Sequence, residues 1–313
     1  MDTKEKKELI LKNVVEVIEE KELDEILKKK QPVVYCGYEP SGPIHLGHFV
    51  TITKLLDFQK AGFKVKILLA DWHARLNKKG TFEEIRKQTE KWKKDFTKLG
   101  LDKAEFIIGT SFQKNEDYIN DVFSLAVDTT INRALRSMQQ VARDIENANV
   151  GQVIYPFMQA VDIKHLKVDV AYGGLEQRKI HMIARELLPS INYKAPTCVH
   201  TPLITSLSGP GEKMSSSKPE TMISLDDKPD EIKNKVRKAY CPEKVSEENP
   251  ILQISKLIIF PRIKIFEIKR DKKYGGDISL KNYKELEKSF TEGKIHPLDL
   301  KNTVAEYLIE ILK

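Results

Sequence analysis

Hydrophobic positions along this chain alternate between two spacings. Short apolar runs suited to buried strands are separated by longer stretches in which apolar residues recur at helical spacing. Thr81 with Glu84 is a capping signal that opens one of these stretches, and Gly62 and Gly100 close two of them. The apolar runs lie at 33–35, 64–71, 104–109, 168–174 and 196–204. Strands that alternate with helices predict an α/β fold, with a doubly wound, Rossmann-like parallel sheet.

Helical patterns dominate at both ends of the chain. Residues 4–29 carry apolar side chains at helical spacing among charges, which predicts two short amphipathic helices. Residues from about 114 to 167 are also mostly helical in pattern, and so is the chain beyond residue 222. We therefore predict a Rossmann-like domain over 1–222, with N-terminal helices and a helical insertion, and a smaller, mainly helical C-terminal domain over 223–313.

Composition narrows the class of protein without deciding it. The chain of 313 residues has 53 basic and 46 acidic side chains, for a net charge of +7. This balance favours a polyanionic partner, but the Lys/Glu-rich surface of a heat-adapted protein explains it equally well. Cys36, Cys198 and Cys241 lie far apart without metal-ligand spacing, which predicts a reducing cytoplasm and no structural zinc. The charged N-terminus and the lack of a long apolar segment predict an untargeted protein outside the membrane.

Two histidines follow the first predicted strand, in the segment "HLGH" at 45–48. The segment lies at the expected start of a helix, whose free N–H groups attract a phosphate chain. His45 and His48 can donate hydrogen bonds to phosphate oxygens as charge builds on them, and Gly47 leaves a flat floor for a purine ring. For this motif alone, histidines that are satisfied within the fold are an equally good interpretation.

A second polar segment, "KMSSS" at 213–217, follows Gly209 and Gly211. The glycines make the loop mobile, the serines and their N–H groups can surround phosphates, and Lys213 supplies positive charge. Alone, such a run is typical of a solvated polar loop. Its pairing with the two histidines, in this order and in a doubly wound frame, favours a site for nucleotide phosphates.

The segments "HLGH" and "KMSSS" resemble the HIGH and KMSKS signatures of class I aminoacyl-tRNA synthetases. Other segments are similar to the tyrosyl-tRNA synthetases of archaeal and eukaryotic type: "EPSGPIHLGH", "LLADWHARLN", "VIYPFMQAVDI", "GGLEQRKIHM", "VRKAYCP" and "HPLDLKN". Because the matches lie in order over nearly the whole chain, the chain is identified as a member of that family.

This resemblance implies a tyrosine–tRNA ligase. Tyrosine's carboxylate attacks the α-phosphate of ATP, pyrophosphate leaves, and a ribose hydroxyl of the terminal adenosine of tRNA(Tyr) then attacks the tyrosyl-adenylate. Positioning and stabilisation of phosphate charge do most of this work. The implied catalytic residues are His45, His48 and Lys213. The implied ATP-binding residues are Gly47, Lys213, Ser215, Ser216 and Ser217.

The resemblance also implies the partners and the roles of the domains. ATP with Mg²⁺ is the expected co-substrate, with no tightly bound cofactor and no metal site of the protein's own. We expect a cytoplasmic homodimer to which the helical region from about 114 to 150 contributes the interface. The domain at 1–222 is then catalytic, and the one at 223–313 binds the anticodon.

Helical spacing brings three polar residues of "VIYPFMQAVD" together, since Tyr155, Gln159 and Asp162 are four and three residues apart. In isolation such a triplet is typical of the solvent side of a helix. The resemblance instead implies that Tyr155 and Gln159, with Gln177, surround the α-amino group of tyrosine. It further implies that Asp162 and Tyr35 grip the phenolic hydroxyl.

Contacts to tRNA are implied at five positions. Two arginines and a lysine, from "INRALRSM" and "EQRKIH", are expected to face the first base pair of the acceptor stem. A tyrosine and an aspartate of the C-terminal domain are expected to stack on and hydrogen-bond the first anticodon base. These residues are Arg136, Arg178, Lys179, Tyr274 and Asp299.

Some positions depart from the family pattern, and other functions remain open. Ser216 occupies the place of a lysine in KMSKS, for which Lys218 is a partial substitute, and Trp72 and Arg75 leave the shape of the pocket rim in doubt. A tryptophanyl-tRNA synthetase shares both signatures but needs no phenol-binding pair. A catalytically idle tRNA-binding paralogue would have no need of the histidines and the lysine.

Overall fold

The chain folds into two compact units in a computed structural model. Each unit is built from two separate parts of the chain. The first unit comprises Met1–Gly42 and Lys54–Pro202, and the second comprises Pro43–Thr53 and Leu203–Lys313.

The structure describes residues 1–142 and 145–313, without the side chain of Tyr274. The predicted domain bounds, 1–222 and 223–313, stay predictions.

A six-stranded sheet forms the centre of the first unit. Its strands are β1 (Glu16–Ile18), β2 (Val33–Tyr38), β3 (Lys64–Leu69), β4 (Glu105–Ile108), β5 (Val170–Gly174) and β6 (Thr197–Thr201). They lie in the order β1-β6-β5-β2-β3-β4, with β1 antiparallel to β6 and all other neighbours parallel. Every residue of β5 and β6 is buried, which is typical of parallel strands covered on both faces. The predicted α/β fold is therefore confirmed, while β1 was not predicted.

Helices cover this sheet. They are α1 (Thr3–Leu11), α2 (Glu20–Ile26), α3 (Leu46–Lys60), α4 (Asp71–Leu76), α5 (Phe82–Lys98), α6 (Glu116–Val127), α7 (Ile131–Met138), α8 (Val150–His165) and α9 (Arg178–Leu187). Helix α3 begins in the second unit and ends in the first. The predicted capping box of Thr81 with Glu84 opens α5, and Gly62 and Gly100 adopt positive φ just beyond α3 and α5.

The second unit is mainly helical, as predicted. It contains α10 (Pro229–Lys238), α11 (Pro250–Ile254), α12 (Tyr283–Thr291) and α13 (Pro297–Leu312). Two short antiparallel strands, β7 (Phe266–Ile268) and β8 (Ile278–Leu280), were not predicted. In the part of the chain that the structure describes, no helix combines the length and the apolar character needed to cross a membrane.

Helix α8 lies at the core of the first unit. Ala160, Val161 and Ile163 are fully buried, and they belong to a cluster that includes Tyr35 of β2 and Tyr118 of α6. Asn149 caps α8 through a capping box with Gln152. Polar residues on such a helix are held in an interior from which water is excluded.

Candidate functional site

Asp162 is the most buried carboxylate of the predicted site. Its relative exposure is 0%, and its Oδ1 accepts hydrogen bonds from Gln113 Nε2 at 2.8 Å and from the Tyr118 hydroxyl at 2.9 Å. Its Oδ2 has no hydrogen-bond partner among the described residues. A buried acceptor without a donor is costly unless a ligand supplies one.

His73 of α4 faces the same oxygen. Its Nε2 lies 3.6 Å from Asp162 Oδ2, and neither of its ring nitrogens has a hydrogen-bond partner within the described part of the chain. The ring meets Tyr155 edge to face, with centroids 4.5 Å apart. Gln113 Oε1 is also buried without a partner. Asp162 and two side chains that adjoin it, His73 and Gln113, thus leave buried polar atoms unsatisfied.

Burial determines the protonation states of Asp162 and His73. It raises the pKa of the Asp162 carboxyl to about 7, although hydrogen bonds from Gln113 and Tyr118 act in the opposite direction. Burial also lowers the pKa of the His73 imidazole to about 3, so that this ring is neutral at pH 7. The site therefore combines a neutral histidine with a carboxyl that is about half ionised near neutral pH.

Tyr35 lies on β2 with a relative exposure of 1%. Its hydroxyl oxygen occupies the space beside Gly37, where a Cβ atom would lie 2.8 Å away. The pKa of the Tyr35 phenol is raised well above its usual value, first by burial and then by the charge of Asp162. Tyr35 therefore remains a neutral hydrogen-bonding group near Asp162.

The remaining predicted amino-acid contacts are Tyr155 and Gln159, which precede Asp162 on α8, and Gln177, which lies just before α9. Gln159 Nε2 donates a hydrogen bond to Gln177 Oε1 at 3.1 Å. Burial raises the pKa of the buried Tyr155 phenol, and the charge of Glu39 and a hydrogen bond to it add to this rise. Glu39 in turn accepts hydrogen bonds from Asn77 at 3.1 and 3.2 Å. Gln159 and Gln177 are thus in direct contact, while Tyr155 lies on the same helix as Gln159 and Asp162 and is next to Glu39.

The two histidines of "HLGH" lie in the second unit, at the start of α3. His45 Nδ1 accepts a hydrogen bond from Gly47 N, and His48 Nδ1 accepts one from His45 N, both at 3.1 Å. Burial, followed by the charge of Lys213, lowers the pKa of His45 to about 4. A neutral imidazole that accepts at Nδ1 carries its hydrogen on Nε2. His45 is therefore fixed as an Nε2–H donor, the form that a phosphate oxygen requires.

Gly47 has no room for a side chain. A Cβ atom there would lie 2.8 Å from His45 Cε1 and 2.9 Å from His45 Nδ1. The start of α3 is tied to the chain at 223–225, because Leu46 N donates to Ile223 O at 3.0 Å and Leu225 N donates to Ile44 O at 2.8 Å. The histidine pair is consequently held on a fixed backbone.

The "KMSSS" loop is anchored at its beginning. Met214 N donates to Ile204 O at 2.8 Å, and beyond that point Ser215 Oγ lies 2.9 Å from Ser217 Oγ. Ser216 is half-buried in the same loop. Lys218 Nζ pairs with Glu212 at 2.6 and 2.7 Å, so its charge is engaged there. That Lys218 substitutes for the missing lysine stays a prediction.

Three predicted tRNA contacts lie on neighbouring helices of the first unit. Arg136 is exposed on α7, and Arg178 and Lys179 are exposed at the start of α9. Lys179 Nζ donates to Gln139 Oε1 at 2.5 Å, and Arg178 Nε lies 2.6 Å from Glu16 Oε1. All three side chains are exposed, so a polyanion can reach them.

Two further predicted tRNA contacts lie in the second unit. The backbone of Tyr274 ends a short turn at Lys272–Tyr274, while its side chain lies outside the described part of the structure. Asp299 is half-buried in the first turn of α13, where His296 rather than Asp299 is the N-cap. The side chain of Asp299 is thus not required for capping.

Sequence reasoning missed His73 of α4, Gln113 of the turn before α6, and Tyr118 of α6. His73 stands in the quoted segment "LLADWHARLN", yet no spacing relates it to Asp162. The neighbouring Trp72 packs edge-on against Phe82, with ring centroids 4.8 Å apart. The effect of Trp72 and Arg75 on the pocket rim stays a prediction.

No group of three or more potential metal ligands occurs among the described residues. Carboxylates that could hold a cation by themselves are therefore not clustered there.

Comparison with known proteins identifies the family. The model of the family "tRNA synthetases class I (W and Y)" matches residues 27–313. A tyrosine–tRNA ligase of Methanopyrus kandleri is 53% identical over 316 residues, which cover 100% of this chain and 97% of that protein.

Solved structures give the same result. A tyrosyl-tRNA synthetase of Archaeoglobus fulgidus, complexed with L-tyrosine, has a TM-score of 0.96 and 52% identity, and the match covers 99% of this chain and 98% of that one. A tyrosyl-tRNA synthetase of Pyrococcus horikoshii, also complexed with L-tyrosine, has a TM-score of 0.92 and 35% identity, covering 100% and 95% of the two chains.

Proposed function

This chain belongs to the class I tRNA synthetases of the tryptophan and tyrosine group, and we propose that Asp162 selects the amino acid that it activates. Its activity is that of a tyrosine–tRNA ligase of archaeal type, with ATP as co-substrate. A carboxylate oxygen of tyrosine bonds to the α-phosphorus of ATP as the bond to pyrophosphate breaks. A ribose hydroxyl of tRNA(Tyr) then bonds to the tyrosyl carbonyl carbon, loses its proton, and AMP leaves.

The unpartnered Oδ2 of Asp162 is the observation that carries this proposal. The phenolic O–H of tyrosine donates to it, and Tyr35 and His73 line the same point. His73 is too weakly basic to carry a charge at pH 7, so its Nε2 serves as a neutral partner 3.6 Å from the carboxylate. Phenylalanine leaves Asp162 without a donor, and tryptophan offers no hydroxyl in its place.

Tyr155, Gln159 and Gln177 hold the α-ammonium group. The amide oxygens and the phenol provide acceptors, which an ammonium group with three N–H donors requires. Gln159 and Gln177 already form one hydrogen bond at 3.1 Å, so they are ordered before tyrosine arrives. Less side-chain entropy is then lost on binding.

His45, His48 and Lys213 stabilise the phosphate charge of ATP. The hydrogen on His45 Nε2 is a donor to phosphate oxygens, and Lys213 adds positive charge. The adenine ring rests over Gly47, and Ser215, Ser216 and Ser217 surround the phosphates. Mg²⁺ arrives with the ATP phosphates, whose oxygens are its preferred ligands.

Arg136, Arg178 and Lys179 bind the acceptor stem of tRNA(Tyr), and Tyr274 and Asp299 read the first anticodon base. The exposure of the three basic side chains supports the first contact. The Arg178→Ala variant should lower kcat/KM for tRNA by about 10-fold or more without lowering the rate of ATP–pyrophosphate exchange at saturating tyrosine. Equal loss in both assays would contradict an RNA contact.

A second copy of this chain covers helix α6. Ile119, Phe123 and Val127 follow one another at four-residue spacing and are 40%, 61% and 83% exposed. Such a stripe favours a partner helix with the same face, as in a two-fold dimer. Phe123→Asp should give a monomer in sedimentation equilibrium, whereas Ile265→Asp, at another exposed apolar side chain, should leave a dimer. A dimer in both variants would exclude this interface.

The three free cysteines are buried and suit the reducing cytoplasm, which is the location that we propose.

The test of the amino-acid assignment is the selectivity of ATP–pyrophosphate exchange. Asp162→Ala should reduce the ratio of kcat/KM for tyrosine over phenylalanine by at least about 100-fold, because a buried hydrogen bond to a charge is lost. The KM for ATP should change little. Tyr172→Phe removes another buried phenol, whose partner is Thr201 at 3.0 Å, and should leave the ratio unchanged. An unchanged ratio in Asp162→Ala would exclude the assignment.

A further inference from the structure

Two buried histidines and a glutamate form a row across the sheet of the first unit. Glu16 of β1 is the register partner of His200 of β6, and His200 is the register partner of Gly173 of β5. His200 Nδ1 lies 3.0 Å from Glu16 Oε1, and His200 Nε2 lies 2.9 Å from His181 Nδ1. His200 and His181 are 0% and 1% exposed. The substrate contacts described above use none of these three side chains.

The carboxylate determines which nitrogens carry hydrogen. A lone pair of His200 Nδ1 would repel Glu16, so His200 carries its hydrogen on Nδ1 and accepts at Nε2. His181 must then donate from Nδ1. Burial lowers the pKa of His181 well below its usual value, so its ring stays neutral and Nε2 is a bare acceptor. This Nε2 is buried and has no hydrogen-bond partner in the described part of the chain.

His181 lies under the α-amino end of the proposed tyrosine pocket. A Cβ atom at Gly173 would lie 2.8 Å from Gln177 Cγ and 3.6 Å from His181 Cε1, so both side chains occupy the space that glycine leaves. Gln177 and His181 are also four residues apart, on one face at the start of α9. Gln177 is hydrogen-bonded to Gln159. The unpartnered acceptor thus adjoins the groups proposed to hold the ammonium.

The other end of the row reaches the surface. Arg178 Nε lies 2.6 Å from Glu16 Oε1, the same oxygen that faces His200 at 3.0 Å. Glu16 Oε1 and His200 Nδ1 form no hydrogen bond in the described part of the chain, although they lie within ion-pair distance of each other. Arg178 is 45% exposed, so an RNA phosphate or base edge can draw it away. Glu16 is then free to accept a hydrogen bond from His200 Nδ1.

We propose that Glu16, His200 and His181 form a relay that couples RNA binding at Arg178 to tyrosine binding at Gln177. With Arg178 withdrawn, the full charge of Glu16 acts on His200, and His181 Nε2 becomes a stronger acceptor at the α-amino end of the pocket. Tyrosine then binds more tightly. This coupling rests on the proposed contact of Arg178 with tRNA. His181 is a positioning residue that acts through the amide of Gln177.

The experiment measures the Kd of tyrosine by equilibrium dialysis, with and without periodate-oxidised tRNA(Tyr). The oxidised RNA binds but cannot accept tyrosine. In the wild-type protein the RNA should lower the Kd by about fivefold or more, the lower end of typical coupling between sites. In Glu16→Gln, which keeps the shape of the side chain but not its charge, the RNA should still bind but leave the Kd of tyrosine unchanged. A full response in Glu16→Gln overturns the relay.

A second arm separates the relay from the RNA contact. Without RNA, Arg178→Ala should lower the Kd of tyrosine to the value that RNA produces in the wild type. Lys28→Ala removes an exposed positive charge paired with Glu25, and it should leave the Kd unchanged. A wild-type Kd of tyrosine in Arg178→Ala overturns the relay, whether or not the variant has lost affinity for tRNA. A lowered Kd together with wild-type affinity for tRNA supports the relay and overturns only the contact of Arg178 with RNA.

Discussion

Removal of the Tyr118 hydroxyl should change how the affinity for tyrosine depends on pH. This hydroxyl donates to Asp162 Oδ1 at 2.9 Å and lies 3.0 Å from Met158 O, so that one hydrogen serves two acceptors. Its bond stabilises the ionised carboxylate and lowers the pKa of Asp162, against the larger effect of burial. Tyr118→Phe deletes only this oxygen. The carboxyl should then hold its proton to higher pH.

The size of the change follows from the hydrogen bond. A hydrogen bond to a charged group contributes about 1.5–3 kcal/mol, and 1.36 kcal/mol corresponds to one pKa unit. Because the hydrogen is shared, the lower value applies, and the pKa of Asp162 should rise from about 7 to about 8. At pH 7 the ionised fraction then falls from about one half to about one tenth.

The assay is the Kd of tyrosine between pH 6 and pH 9. The phenol donates more strongly to the ionised carboxylate, so binding tightens as the pH rises through the pKa of Asp162. Tyr118→Phe should bind tyrosine about fivefold more weakly than the wild type at pH 7, and almost equally at pH 9. His73 and His45, with pKa values of about 3 and 4, do not titrate in this range. A loss of the same size at every pH would refute the role of Asp162 ionisation.

Three more predictions follow from close contacts and burial. Gly47→Ala should raise the KM for ATP by about 10-fold or more, because the added Cβ would lie 2.8 Å from His45 Cε1. ATP–pyrophosphate exchange measures this KM, and an unchanged value would contradict the prediction. Gly173→Ala should raise the KM for tyrosine but not for ATP in the same assay, because its Cβ would lie 2.8 Å from Gln177 Cγ. The pKa of Asp162 is raised from 3.8 to about 7, so the ligand-free protein should lose stability as the pH rises between these values. Asp162→Asn should remove this dependence in urea unfolding, and an identical pH profile would contradict it.

The alternation of apolar runs predicted the parallel sheet and most of its helices, because those elements are long enough to show a period. Strands β1, β7 and β8 have three residues each, which is too short for alternation to be seen. Strand β1 nevertheless brings Glu16 opposite His200. The proposed relay therefore could not be predicted from the sequence, because β1 is too short to be predicted.

The helical spacing of Tyr155, Gln159 and Asp162 placed them correctly on one face. His73 and Gln113 could not be found in this way, since they come from other elements and meet Asp162 only in the folded chain. Their importance lies in what they leave unsatisfied, which depends on burial and not on residue type. Sequence patterns record which side chains share a face, but not which polar atoms lack a partner.

Selection of tyrosine by a buried carboxylate is the central claim, and ATP–pyrophosphate exchange with tyrosine, tryptophan and phenylalanine offered separately tests it most directly. Tyrosine should support exchange, and phenylalanine should be rejected by roughly 10⁴ to 10⁵, a magnitude established for tyrosyl-tRNA synthetases. Tryptophan should give no exchange. Exchange with tryptophan alone, or equal exchange with tyrosine and phenylalanine, would contradict the account.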